Sequence, residues 1–269
     1  MKYFTINPSD TLSKYVRYFW ILEGEADLDN PYVHRSMADG CTELLFHYNG
    51  VFDELVNEKP TQKSFLSGLA GPSQLVRRFL IHSNFGIFGV YLYPFAASLL
   101  FPIQATDLKN QMIDLRTLPG NDVNELEEKM MLAADNSQRI IIISNFLEKR
   151  LITAKKQPPG IFETIRHMIQ ATDLTKVEEL AKHNYLSTRQ FERNFKQSAG
   201  FSPKLFSRII RFQNALALYN HQNKSLSEIA YDCGYYDQSH FIQDFKEFSG
   251  HSPKEYFLNH AEGTAWRVD

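Results

Sequence analysis

Over the first 120 residues the apolar positions come in short runs rich in Val, Ile, Phe and Tyr, among them YVRYFWIL, TELLFHY, LVRRFLIH and FGIFGVYLY, separated by Gly, Pro, Asn and Asp. Runs of that length and composition, bounded by turn formers, predict β-strands. The period then changes. Asp122 to Leu132 and Ser137 to Leu151 read as helices, the second with Ile140, Ile143, Leu147 and Leu151 at spacings of three and four along one face. TAKKQPPG, residues 153–160, combines two lysines with Pro-Pro-Gly and reads as a linker. Beyond it nearly every segment has a helical period, with about seven mostly short helices from Ile161 onward. Four starts carry capping-box spacing, Thr175 with Glu178, Ser187 with Gln190, Ser225 with Glu228 and Ser252 with Glu255, and two place Ser before Pro at 202–203 and 252–253.

This second half contains a repeat. Leu180-Ala181, Phe191, Phe195-Lys196, Gly200 and Ser202-Pro203 recur as Ile229-Ala230, Phe241, Phe245-Lys246, Gly250 and Ser252-Pro253, with one additional residue in the second turn. Each unit reads as a short helix, a tight turn and a second helix seated by two aromatics at i and i+4, the outline of a helix-turn-helix. With Phe191 and Phe195 turned inward, Arg189, Glu192, Arg193 and Lys196 face outward; with Phe241 and Phe245 inward, Gln238, Ser239, Gln243 and Lys246 do so, with His240 on the flank. Arg and Gln form bidentate hydrogen bonds with base edges, Glu accepts from cytosine, and Lys suits phosphate. For one helix a solvated surface explains such a face equally well. Two tandem copies with matching caps favour a pair of major-groove readers.

Residues 161–260 resemble the tandem helix-turn-helix domain of AraC/XylS family transcription regulators, through ELAKHNYLSTRQFERNFKQSAGFSP in the first unit and EIAYDCGYYDQSHFIQDFKEFSGHSPKEYF in the second. The resemblance implies base reading by Arg189, Glu192 and Arg193 and by Gln238, Ser239, His240 and Gln243, with Lys196 and Lys246 at phosphate-facing positions. Glu192 departs from an otherwise cationic first face. The resemblance also implies a long helix joining the units; here Pro203 to about Tyr219, roughly 25 Å at 1.5 Å per residue, suits two elements one DNA turn apart.

Charge qualifies this picture. Lys and Arg number 29 against 31 Asp and Glu, net −2, which argues against a nucleic-acid partner for the chain as a whole. Between Ser187 and Gln213, however, Arg189, Arg193, Lys196, Lys204, Arg208 and Arg211 face a single acid, Glu192, which makes Lys204 and Arg208 further phosphate candidates.

The first half resembles, less closely, the N-terminal sensor of a subset of AraC-type regulators, through GVYLYPFAASLLFPIQATDLKNQMIDLRTLPG and RIIIISNFLEKRL. The fold expected is therefore multidomain α+β: a small cupin-like β-barrel ending in helices over 1–152, a linker over 153–160, an all-α tandem helix-turn-helix domain over 161–260 and a tail over 261–269. Tyr18, Trp20, Phe46, Tyr48, Phe88 and Tyr91 are candidates either to line an effector cavity or to fill a β core. His34, His47 and His82 are scattered and no H-x-H occurs, so no metal site is expected; Asp39, Glu43 and His47 are regularly spaced, but Asp39 beside Gly40 reads as a solvated turn. No nucleotide or hydrolase motif appears, and no cofactor is expected. Cys41 and Cys233, the only two cysteines, form no disulfide framework. With no signal-like or spanning apolar run, the expectation is a cytoplasmic, bacterial-type regulator with no membrane partner. Expected partners are double-stranded DNA and, by the family's logic, a small effector, a second copy as homodimer and RNA polymerase; activation and repression stay open. The rival readings are a constitutive DNA binder whose first domain only dimerises, and a cupin-type enzyme with an accessory DNA-binding domain.

Overall fold

A computed structural model of the chain describes residues 1–154, 159–170, 176–219, 224–258 and 262. The first half builds ten strands: β1 (Lys2–Ile6), β2 (Val16–Gly24), β3 (Tyr32–Ser36), β4 (Thr42–Asn49), β5 (Asp53–Val56), β6 (Lys59–Lys63), β7 (Ser67–Ala70), β8 (Arg77–Ile81), β9 (Phe85–Leu92) and β10 (Met112–Asp114). They form a six-stranded sheet in the order β1-β2-β9-β4-β7-β10 and a four-stranded sheet in the order β3-β8-β5-β6. The β-rich fold is as expected, but the strands make two open sheets instead of one closed barrel, because β3, β8, β5 and β6 bond only among themselves. The β5–β6 hairpin turns on Asn57 and Glu58, both at positive φ (51° and 62°), as the right-handed twist of a two-residue hairpin demands.

Period-two alternation gives the larger sheet two different faces. Phe19 and Ile21 of β2, Leu44 and Phe46 of β4, and Phe88 and Val90 of β9 are buried on one face. Four helices follow, α1 (Ala96–Leu100), α2 (Ala105–Leu108), α3 (Asn121–Leu132) and α4 (Asn136–Thr153), with α3 packed on β4 and α4 on α3. Arg139 of α4 donates to Met130 O and Ala133 O at 3.1 Å, satisfying carbonyls that the end of α3 leaves open. On the other face Tyr18, Trp20 and Leu22 align with Tyr91, Gly89 and Ile87, and these with Glu43, Leu45 and His47.

The second half holds seven helices among the described residues: α5 (Pro159–Gln170), α6 (Val177–His183), α7 (Thr188–Ala199), α8 (Pro203–Tyr219), α9 (Leu226–Asp232), α10 (Gln238–Ser249) and α11 (Pro253–Phe257). Three of the expected capping boxes form, at Ser187/Gln190, Ser225/Glu228 and Ser252/Glu255. Thr175 of the fourth lies outside the described residues, as do residues 155–158 of the expected linker and all of the expected tail except Glu262. Phenylalanines set the core: Phe191, Phe195 and Phe206 pack in the first unit, and Phe212, Phe241, Phe245 and Phe248 in the second, every one 0% exposed.

The halves touch extensively. Phe95 stacks on Phe162 at 4.2 Å, the Arg166 guanidinium lies 5.5 Å over the Tyr93 ring, and α2 packs against α7. Glu262 accepts from Arg78 at 2.6 Å and from Arg35 at 3.3 Å. Among the described residues no helix is long and apolar enough to cross a membrane.

Candidate nucleic-acid interface

The two helix-turn-helix units have the same internal geometry. Leu186 N–H donates to Ala181 O at 3.0 Å in the first turn and Tyr235 N–H to Ala230 O at 2.9 Å in the second. One residue earlier the chain takes a left-handed conformation in both, Tyr185 at φ 55° and Gly234 at φ 72°. The additional residue of the second unit is therefore Tyr236, inserted just before the helix cap at Asp237. The units end alike, on left-handed Gly200 (φ 79°) and Gly250 (φ 76°).

Apolar faces of α7 and α10 are buried and the opposite faces are open. Arg189, Glu192, Arg193 and Lys196 are all exposed on α7, and Gln238, Ser239, His240, Gln243 and Lys246 on α10; Lys204 at the start of α8 is exposed too. Gln238 accepts from Ser227 Oγ at 3.2 Å, which ties α10 to α9. His240 Nδ1 lies 3.0 Å from Asp237, whose carboxyl is held below its ordinary range by the His240 backbone N–H and imidazole.

Two members of the basic group face elsewhere. Arg208 pairs with Asp244 at 2.7 Å and Glu247 at 2.6 Å and lies 5.0 Å over the Phe248 ring, so its guanidinium braces α8 against α10 instead of standing open to phosphate. Arg211 donates to Gly234 O at 3.2 Å and covers the Tyr235 ring at 4.9 Å. A periodicity reading misses this because it assigns a face, whereas a long side chain at the edge of that face reaches a neighbouring helix. It also misses the exposed tyrosines. Tyr185 is 97% exposed and Tyr236 93%, both at the turns that lead into α7 and α10.

A second feature lies between the domains, a cavity of about 380 Å³ whose walls come from both sheets and from α8. Of the effector candidates, Tyr18, Trp20 and Tyr91 line it. Phe46 and Phe88 are 0% exposed on the opposite face of the sheet, and Tyr48 sits there too, donating to Glu23 at 2.5 Å beneath the Arg139 guanidinium. Gly89 makes the space, since a Cβ on it would lie 2.0 Å from the Trp20 ring. Asp39, Glu43 and His47 also line the cavity, so the solvated-turn reading of Asp39 is corrected: its carboxylate accepts from Tyr91 Oη and from Cys41 N–H. Burial raises the Tyr18 and Tyr91 hydroxyls, lowers His47 and pushes the Cys41 thiol up to about 12. The wall facing the sheets is Gln213, Leu216 and Ala217 of α8. Among the described residues no group of three or more His, Cys, Asp or Glu is placed to hold a metal ion.

Comparison with known proteins finds similar segments in both halves of the chain. Residues 180–259 match a family described as a helix-turn-helix domain. Over 78 residues the chain is 33% identical to the HTH-type transcriptional activator RhaS of Klebsiella pneumoniae, 29% of this chain and 28% of that one. Residues 180–259 are thus similar to the helix-turn-helix region of a transcriptional activator. An uncharacterized HTH-type transcriptional regulator of Haemophilus influenzae is 30% identical over 118 residues, 44% of this chain and 40% of its own length. These matches therefore span well under half of either relative. Residues 4–114 match a domain of unknown function, DUF6597. ToxT of Vibrio cholerae aligns over 89% of this chain and 97% of its own at 15% identity, with a TM-score of 0.49.

Proposed function

We propose that this chain is a sequence-specific transcription regulator of the AraC/XylS type, that α7 and α10 read bases in successive major grooves of double-stranded DNA, and that a small effector in the interdomain cavity modulates it. The observation that carries this reading is the paired, open, polar faces of α7 and α10, held on buried phenylalanine seats and joined by α8. The cavity favours an effector over a first domain that only dimerises, because a purely dimerising domain has no use for a space that α8 closes. A non-catalytic role agrees with both cysteine thiols, each pushed up to about 12 by burial and so uncharged at neutral pH. Contacts with RNA polymerase and a homodimeric assembly belong to the same family reading.

Selection of bound fragments from random DNA tests it, expected to return two short blocks about ten base pairs apart. Arg193→Ala is then expected to weaken the selected site by about 1–3 kcal/mol, and random duplex by less. Equal loss on both would leave Arg193 only a phosphate role.

A further inference from the structure

The first domain meets the two recognition helices at matching points. At the end of α7, a Cβ on Gly200 would lie 2.8 Å from Pro72 Cγ and 3.0 Å from Ala105 O. At the end of α10, a Cβ on Gly250 would lie 2.9 Å from Arg35 Nη1, and Phe248 O accepts from Ala38 N–H at 2.9 Å. The repeat thus offers the same surface twice, a bare glycine cap, and the first domain sits against both.

Its two contact points, Ala38 and Pro72, are joined to each other. Asp39 N–H donates to Ser73 O at 2.7 Å and Ser73 N–H to Asp39 O at 2.8 Å, an isolated bridge between two loops. Asp39 and Ser73 both line the cavity. Ala38 O in turn accepts from Gln213 of α8, which lines the cavity as well. One backbone rung therefore borders the cavity, and its immediate neighbours hold the C-terminal ends of both recognition helices.

We propose that the Asp39–Ser73 bridge is a clamp that fixes the separation of α7 and α10 and links it to the state of the cavity. The proposal rests on the reading of those helices as base readers. Leverage favours it: α10 has 12 residues, so at 1.5 Å per residue it is about 18 Å long, and a tilt of about 5° at its held end moves the other end by about 1.5 Å. Base-edge hydrogen bonds tolerate only a few tenths of an ångström. By linkage, DNA that selects one separation must also act on the cavity wall.

The test uses the full chain and duplexes carrying the two selected blocks at spacings varied in steps of one base pair. The parent is expected to prefer one spacing, and Pro72→Ala and Gln213→Ala to lower that preference by at least about fivefold while keeping affinity for a single block. Two variants on different helices' contacts guard against one failing to fold. In a Trp266→Phe background, where Trp20 is the only tryptophan, duplex at the preferred spacing is expected to shift the emission, and the two variants to abolish the shift. Variants with the parent's spacing profile would overturn the clamp, as would a parent that binds its blocks specifically at every spacing. A parent that binds all sequences alike would instead refute base reading, and the clamp with it.

Discussion

Arg208 offers the sharpest distinction between a brace and a DNA contact, because its position at the edge of the basic group suits either. Its guanidinium pairs with Asp244, whose side chain is only 9% exposed, while Arg208 itself is 27% exposed. Removing one partner of a fully buried pair costs about 3–5 kcal/mol, since the remaining charge is left desolvated. Partial exposure of Arg208 and screening reduce that, so Arg208→Ala is expected to cost about 2 kcal/mol. For a cooperative unit of this size that lowers Tm by about 4–8 °C. Arg208→Lys is expected to keep most of the loss, because an ammonium cannot reproduce the fork that reaches Asp244 and Glu247 together. Thermal unfolding measures this, and salt titration of DNA binding supplies the control. The slope of log K against log salt should be unchanged in Arg208→Ala, whereas Lys204→Ala should reduce it by about 0.9, one phosphate contact. An Arg208→Ala protein with the parent's Tm and a slope lower by one contact would refute the brace.

The phosphate candidates Lys196, Lys204 and Lys246 are expected to give the parent a salt slope of about −3, and a slope near −10 would contradict that assignment. Tyr185→Gly is expected to raise stability by about 0.5–1 kcal/mol, measured as a higher Tm, because the exposed tyrosine holds a left-handed conformation that its counterpart Gly234 adopts without strain. Gly89→Ala is expected to cost about 1–3 kcal/mol by overpacking and to shift Trp20 emission in a Trp266→Phe background; an unshifted spectrum would mean that Gly89 does not set the shape of the cavity.

The helix-turn-helix half was largely legible in the sequence because its signals are local. Three capping boxes, the Phe191/Phe195 and Phe241/Phe245 pairs and the outward faces of α7 and α10 each depend on residues within one or two helical turns. What escaped depends on contacts between distant segments. Arg208 meets Asp244 across 36 positions, and Asp39 meets Ser73 and Tyr91 across 34 and 52. Phe46, Tyr48 and Phe88 share strand-like surroundings with Tyr18, Trp20 and Tyr91, and only the pairing register decides that the first three point away from the cavity. The split into two sheets is likewise a matter of which strands pair, which alternation alone does not encode.

The additional residue before α10 has a further consequence. A symmetric dimer of single readers sees a palindrome and binds it in either orientation. If α7 and α10 read bases as proposed, two unlike readers, one led by Leu186-Ser187 and the other by Tyr235-Tyr236-Asp237, sit on one chain in fixed order, so one copy would have a head and a tail on its site. Inverting that site in place would turn the protein end for end and carry the β-domain to the other flank. A single molecule would thus register the direction of the DNA as well as its sequence.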